Sequence, residues 1–404
     1  MNAKPAAERS IPQHLVVDFD AFRPAEPGSD PYLVLRQLQQ GPEIVWTPHN
    51  GGHWIATQGD TMKGIIEDPE RFSSSSILIA TPNRDPLVPA EYDPPQHGPL
   101  RKPLMLAFLP KHVKRWTLEA RDLTVELIER LKPHGRCEFM GEFAAHVPVI
   151  IFLRIVALPL DDRQKLVTWV KQVLQHSDLG ALAAAHENIN QYIDALTDER
   201  LAHPGDDLFS QAITADIGGR RMTLTEARGL GRTMLLAGLD TVAALLGWTA
   251  RYLAENPAAR RRILAESRLI PRVIDEMLRR YSVANIARVV RQDMNYRGVE
   301  MRAGEQIYLP TCLYGLDEKV FSDPLSVDFD RTDSSKHLAF GTGIHRCVGA
   351  PLAHAEMRVF LEEWLVRIPE FSLDPCKPPI RVTGIVHSHE TLNLVWPTES
   401  TAKP

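Results

Sequence analysis

The sequence predicts a mainly α protein with a small β region, and three observations carry that reading. Helical apolar spacing recurs along most of the chain, with Pro-marked loops between the segments. β-prone residues flank Gly51-Gly52 over Ile44 to Ala56, a hairpin signal. No internal repeat and no clean linker divides the chain, which weakens the two or three domains that 404 residues suggest at roughly 150 per domain. We therefore expect a tail over residues 1–20 and one domain over residues 21–404.

Composition excludes several classes. The chain is 44% hydrophobic and 24% charged, an ordinary globular profile. Its 31 Pro are scattered, which excludes collagen-like, coiled-coil and disordered readings. A net charge of -5 argues against nucleic acid as a partner. The four cysteines, Cys137, Cys312, Cys347 and Cys376, are far apart and form no Cys-x-x-Cys. That excludes a disulfide scaffold or cysteine-rich zinc module and suits a reducing cytoplasm. Met1 to Val17 is polar and lacks an apolar core of signal-peptide length, so the first twenty residues read as a flexible tail. The longest apolar run, Val147 to Leu160, is interrupted by Arg154 and falls short of the ~20 residues that span a bilayer. It reads as a buried core helix, and a cytoplasmic protein with no membrane association is expected.

The elements follow in order. Pro31 to Gln39 has helical spacing, and the hairpin comes next. Residues 73–95 are rich in Ser, Pro and Asp without a period, and loops of that length in compact domains are functional or disordered. Helical patterns return at 97–132, 139–158, 161–176 and 183–202. Thr223-Leu-Thr-Glu226 is a capping-box signature opening a long apolar helix to about Asn256. Within it, Ala237-Gly238-Leu239-Asp240-Thr241 sets a Gly and two polar side chains in a core helix. Gly costs roughly 1 kcal/mol there, and a buried Asp costs more unless paired. The step is either a capped or solvent-facing polar turn or a helix opened beside a ligand. In the next helix, Leu269 to Tyr281, Glu276 and Arg279 share one side, which by itself reads as a surface ion pair. The last informative segment is Phe340-Gly-Thr-Gly-Ile-His-Arg-Cys347-Val-Gly, a Gly-bearing loop followed by a helix over Gly349 to Val366. Cys347 stands at that helix's N-terminus, where free N–H groups and the dipole lower a thiol pKa and favour a nucleophile or a metal ligand. His345, two residues away, does not form a nucleophile–base pair by spacing alone, and the loop has the wrong shape for a nucleophile elbow. One thiolate cannot cage zinc, but it suffices for heme iron.

These residues carry a resemblance. Phe340-x-x-Gly343-x-His345-x-Cys347-x-Gly349, Glu276-x-x-Arg279 and Ala237-Gly238-x-Asp240-Thr241, in that order, resemble a bacterial cytochrome P-450. The resemblance runs from about residue 30 to Leu394-Val395-Trp396. It is closest to the camphor 5-monooxygenase group through Gly51-Gly52-His53-Trp54-Ile55-Ala56, Leu313-x-Gly315-Leu316-Asp317-Glu318 and Ile368-Pro369-Glu370-Phe371-Ser372.

The resemblance implies a single cytochrome P-450 fold, with heme b between a long central helix and the Cys-loop helix. It implies Cys347 as the axial iron ligand, with Phe340, Gly341 and Gly349 around it. His97, Arg101, Arg288 and His345 would hold the propionates, as four donors suit two carboxylates. Ile286 stands where the family has an Asp. Glu276, Arg279 and Arg331 would be structural. Asp240 and Thr241 match the family's acid–alcohol pair, which delivers protons as the O–O bond breaks. Electrons would come from NAD(P)H through a ferredoxin reductase and a [2Fe-2S] ferredoxin. The sequence itself holds no Gly-x-Gly-x-x-Gly dinucleotide fingerprint. The acid-free stretch Gly98 to Leu118 offers Arg101, Lys102, Lys111, Lys114 and Arg115, with Arg346, as a docking surface for the ferredoxin. The camphor group's substrate-binding Tyr falls near Asp85, so a ketone-binding Tyr is absent. Asp85, Leu87, Leu236, Ala237, Ala284 and Asn285 are the candidate pocket residues, for a small apolar terpenoid, norisoprenoid or aromatic. The alternatives are a peroxide-driven peroxygenase and a non-catalytic heme sensor or ligand-binding protein; the Asp240-Thr241 pair argues against both.

Overall fold

A computed structural model of the protein describes residues 11–23, 29–79, 84–175 and 179–398. Helices dominate, and four small sheets carry the β structure. The largest sheet has five strands in the order Ile44–Thr47, His53–Ala56, Gln306–Leu309, Ile286–Val290 and Phe72–Ser73. Its first two strands are the expected hairpin, closed by a 3-10 turn at His49–Gly51 and registered with Trp46 opposite Trp54. Gln306–Leu309 joins His53–Ala56 in parallel and Ile286–Val290 antiparallel, which places Arg288 opposite Ile307. Residues far apart in sequence thus meet at one sheet.

Buried apolar side chains form one continuous cluster from Leu15 to Trp396. Residues 11–20, read from sequence as part of a loose tail, belong to it. Leu15 and Phe19 are buried, and the Val17 N–H donates to the Trp46 carbonyl at 2.8 Å. Their apolar side chains find a partner in the hairpin that local sequence does not announce. Residues 1–10 lie outside the described residues.

Several expected helices divide. The pattern over 97–132 is two helices, His97–Ala107 and Pro110–Leu131, because Pro110 starts a new first turn. The pattern over 139–158 is a π turn, Met140–Ala144, followed by Val147–Ile155. Leu179–Ala202 begins earlier than its apolar pattern. The helix expected from Leu224 to Asn256 is two, Leu224–Gly238 and Thr241–Glu255. By length and composition the stretch Leu224–Glu255 could cross a membrane, yet 67% of its most apolar window is buried inside the protein. It is a core segment, and so is Val147–Ile155 from the longest apolar run, most of whose side chains are buried as the sequence reading expects. The helix after the Cys loop, Ala350–Arg367, lies along Pro110–Leu131. Arg121 pairs there with Glu362 and Glu363, and Arg367 with Glu129 at 3.0 Å.

Candidate functional site

The central helix starts on a complete capping box. Thr223 Oγ1 accepts the Glu226 N–H at 3.2 Å, and the Glu226 carboxylate accepts the Thr223 N–H at 2.8 Å. The helix stops at Gly238. A Cβ there would lie 2.4 Å from the Phe152 ring, so only glycine lets Val147–Ile155 approach this closely. Asp240 then leaves helical geometry (φ −127°, ψ −31°) before Thr241 restarts it. Thr241 Oγ1 donates to the Ala237 carbonyl at 3.2 Å, across the break. Asp240 is buried, and among the described residues its Oδ2 has no partner. Burial raises its carboxyl pKa, against the opposing pull of Lys171. Ala237 is exposed and Thr233, Leu236 and Thr241 are half-buried, while Leu235 and Leu239 are buried. The middle of a core helix is thus open along one face.

The Cys loop is a tight hairpin. The Cys347 N–H donates to the Phe340 carbonyl at 2.9 Å, and Gly341 (φ 64°) and Gly343 (φ 65°) take left-handed turns that a side chain would strain. Gly349 follows as the N-cap of Ala350–Arg367. The expected drop in the Cys347 pKa is not what the structure produces. Burial pushes the thiol up, outweighing the N–H groups of Gly349 and Ala350 and the charges of Arg101 and Arg346. Cys347 is nonetheless accessible by surface area. Both hold when a sulfur lies on the wall of a chamber enclosed by protein. Cys137 and Cys312 are simply buried; the Cys312 thiol is pushed up to about 12 by burial.

Four donors assemble beside this loop. The rings of His97, at the start of His97–Ala107, and His345 lie 4.1 Å apart, centroid to centroid. The Arg101 guanidinium donates to the Arg346 carbonyl. Arg288, from its strand, is buried, and its guanidinium donates to the Ala287 carbonyl at 2.8 Å. Nε2 of His97 and Nε2 of His345 are buried without partners among the described residues. Burial, then the repulsion of His97 and Arg288, drives His345 down to about 3. Burial brings Arg288 to about 10. A buried cluster of unneutralised donors calls for anions. Asp93 is the carboxylate that acts on it, and Ser73, Ser74 and Arg291 already bind that group. Sequence reading missed Asp93, whose role depends on a loop folding back onto the sheet. The donor set fits heme b: one sulfur for the iron, and these four groups for two carboxylates.

The candidate pocket residues divide. Leu87 is buried, Leu236 and Ala284 are half-buried and Ala237 is exposed. Leu87 is positioned by Glu91, whose carboxylate accepts the N–H groups of Leu87 (2.8 Å) and Ile77 (3.1 Å) and both guanidinium nitrogens of Arg84. Asp85 instead meets Arg232 of the central helix at 3.4 Å, and Arg232 also meets Asp194 at 3.3 Å. The Asn285 amide is engaged by His387 Nε2 at 2.9 Å. Each of these two side chains thus has a partner in the fold, while Asn285 Oδ1 is buried without one among the described residues. Part of the 73–95 loop, residues 80–83, lies outside the described residues.

Glu276 and Arg279 are fully buried, unlike the surface pair that spacing alone suggests. Arg279 binds both Glu276 oxygens (2.8 and 2.7 Å) and the carbonyls of Gly315, Pro324 and Ser326. Arg331 reaches Glu276 at 3.3 Å, and Ser334 donates to it at 2.7 Å. Arg346 and Ile344 of the loop are exposed, as are Lys102, Lys111, Lys114 and Arg115, interleaved with exposed Met105, Leu106, Leu109 and Leu118.

Comparison with known proteins agrees with this geometry. The family model described as cytochrome P-450 matches residues 162–386. The probable cytochrome P-450 127A1 of Sinorhizobium fredii is 33% identical over 400 residues, covering 96% of this chain and 96% of that protein. Among solved structures, CYP101J2 superposes with a TM-score of 0.86 at 37% identity, covering 97% of this chain and all of the other. CYP101C1 gives 0.86 and 37%, covering 96% of this chain and 99% of the other.

Proposed function

Because the chain belongs to the cytochrome P-450 family and its cofactor is heme b, we propose that this monooxygenase hydroxylates or otherwise oxygenates a small apolar terpenoid, norisoprenoid or aromatic. The single domain expected over residues 21–404 extends to residues 11–20, which join its core, and it acts in the cytoplasm. The observation that carries the reading is the break at Asp240–Thr241, open on the helix face that bears Ala237. Bound heme, ligated by a thiolate, supplies oxygen activation and O–O cleavage. The chain's own groups do the rest. Cys347 gives the sulfur, and the Phe340 ring and the Gly341–Gly349 turn hold it in place. His97, Arg101, Arg288 and His345 hold the propionates. With heme bound, Thr241 would orient water through its hydroxyl, and Asp240, whose carboxyl pKa burial raises, would supply protons to that water. Leu87, Leu236, Ala237 and Ala284 offer an apolar wall that selects substrate by shape.

Electrons arrive from NAD(P)H through a ferredoxin reductase and a [2Fe-2S] ferredoxin. Its acidic face docks on Arg101, Lys102, Lys111, Lys114, Arg115 and Arg346, with Met105, Leu106 and Ile344 as apolar contacts. The resemblance to the camphor group and the likeness to two CYP101 structures support that partner.

The test uses the heme-loaded protein. Its reduced carbon monoxide complex should absorb near about 450 nm, and a band near about 420 nm in intact protein overturns the Cys347 assignment. Candidate ligands are then ranked by the low-to-high-spin shift. Product formation with surrogate ferredoxin and reductase, and none with hydrogen peroxide alone, supports the reading. The reverse pattern favours a peroxygenase, and no product under either condition favours a heme sensor. Reduction of the heme protein by the ferredoxin should slow steeply with added salt; a flat response counts against the basic docking surface.

A further inference from the structure

Beside Phe340 lies a second cluster that the chemistry above does not use. Asp275 stands on the helix Ile270–Arg280, His354 on Ala350–Arg367, and His337 on the stretch leading into Phe340. One ligand atom from each lies within 4.8 Å of the other two. The Phe340 ring packs against both histidines, with centroids 5.8 Å from His337 and 5.2 Å from His354.

We propose that Asp275, His337 and His354 form a binding site for a transition-metal dication of the zinc class. Three observations carry it. First, His354 Nδ1 lies 2.9 Å from the Ala350 carbonyl, one helical turn back. A carbonyl only accepts, so the ring proton is on Nδ1, and the Nε2 lone pair points at Asp275 Oδ1, 3.2 Å away. Two acceptors at that distance need a cation between them, a proton or a metal. The Nδ1–H to carbonyl bond is also the outer-shell contact that fixes a metal-ligating histidine. Second, His337 is held by the backbone: its Nδ1 accepts the Ala339 N–H at 3.2 Å, so in the neutral ring Nε2 carries the proton that a metal would displace. Burial lowers His337 to about 4, so it is a neutral imidazole at neutral pH. Burial lowers the His354 pKa, but Asp275 and the Ala350 carbonyl outweigh it and raise it, so a metal competes with a proton for Nε2. Third, the site is open. The side chains of His354 and Asp275 are 35% and 29% exposed, so an ion can enter and solvent can fill the remaining coordination positions. Two imidazoles and one carboxylate plus water is a zinc donor set. Ligand atoms around a tetrahedral ion stand about 3.3 Å apart at zinc–nitrogen distances near 2.0 Å, so small rotamer changes of His337 close the site. Arg346 repels a cation at both histidines and sets the main electrostatic cost.

The test is equilibrium dialysis of the heme-loaded protein against micromolar zinc at neutral pH, with metal analysis. One zinc retained per chain is expected, with the affinity falling at least tenfold in Asp275→Asn and in His354→Gln. Crystals grown with zinc should show an anomalous peak at the zinc edge between these three side chains. No retained zinc, or retention unchanged in both variants, overturns the proposal. If Asp275→Asn does not take up heme, His337→Gln supplies the second variant, and a peak at other histidines also overturns it.

Discussion

At the scale of single residues, the site turns on polar groups placed where a core helix should be apolar. Asp240 is buried with an unpartnered oxygen, and Thr241 answers the Ala237 carbonyl that the helix break frees. A buried polar atom left without a partner, as Asp240 Oδ2 is among the described residues, costs roughly 1–3 kcal/mol. Thr241→Ala removes the hydroxyl without disturbing the break. It should leave electron consumption close to normal while product per electron falls several-fold, measured as NADH oxidised against product formed. Unchanged coupling would show that Thr241 only caps the break. Asp240→Asn should lower kcat by about 10²-fold or more, the scale of a lost proton donor, with substrate-induced spin shifts retained. The residue types were legible in sequence: an Asp-Thr step beside Gly238 is conspicuous in an apolar run. The reason for Gly238 was not, because Phe152 approaches it from a different helix.

At the scale of elements, buried charges lock helix to loop. Arg279 spends every guanidinium nitrogen on Glu276 or on the carbonyls of Gly315, Pro324 and Ser326, so it ties the helix Ile270–Arg280 to the segment that leads to the Cys loop. Removing one partner of such a pair leaves an uncompensated buried charge, costing about 3–5 kcal/mol. Arg279→Ala should therefore purify with little heme and a much lower denaturation midpoint, read by the Soret absorbance per chain and by urea unfolding. Heme content equal to wild type would mean that the lock is dispensable. The i, i+3 spacing of the pair is visible in sequence, but spacing alone suggests an exposed pair. Burial is decided by what surrounds the helix. The same limit explains the helix boundaries: Pro110 marks a start that could be read directly, whereas the break after Gly238 depends on packing from Val147–Ile155.

At the scale of the whole molecule, burial of titratable groups shapes the response to pH. His53, His387 and His389 are buried and lowered by desolvation to about 4, about 4 and about 3. They are neutral in the fold, whereas their unfolded pKa is near 6.5. The unfolded chain therefore binds more protons as pH falls below that value. The stability these groups contribute is fully present above pH 6.5 and is lost as pH falls towards 4. Glu356, raised to about 8 by burial, acts in the opposite sense. Its contribution is present below its unfolded pKa near 4.5 and is lost as pH rises through 8. Thermal melting of the heme-loaded protein should show a maximum between these limits, with the acid limb shifted downward in His389→Phe. An acid limb unmoved by that change would place the acid sensitivity elsewhere.

By itself the sequence determined the helical class, the hairpin at Gly51-Gly52, the capping box at Thr223 and Glu226, and the loop that presents Cys347. All of these rest on contacts between residues close in the chain. Only the tertiary structure decided that residues 11–20 join the core and that Asp85 pairs with Arg232 and Asn285 with His387. It alone set His97, Arg101, Arg288 and His345 around one buried point, and burial there raised a thiol pKa that a helix terminus alone would lower. The physical reason is range. Capping, turn geometry and periodicity act over a few residues, whereas desolvation and charge clustering depend on which distant segments pack together.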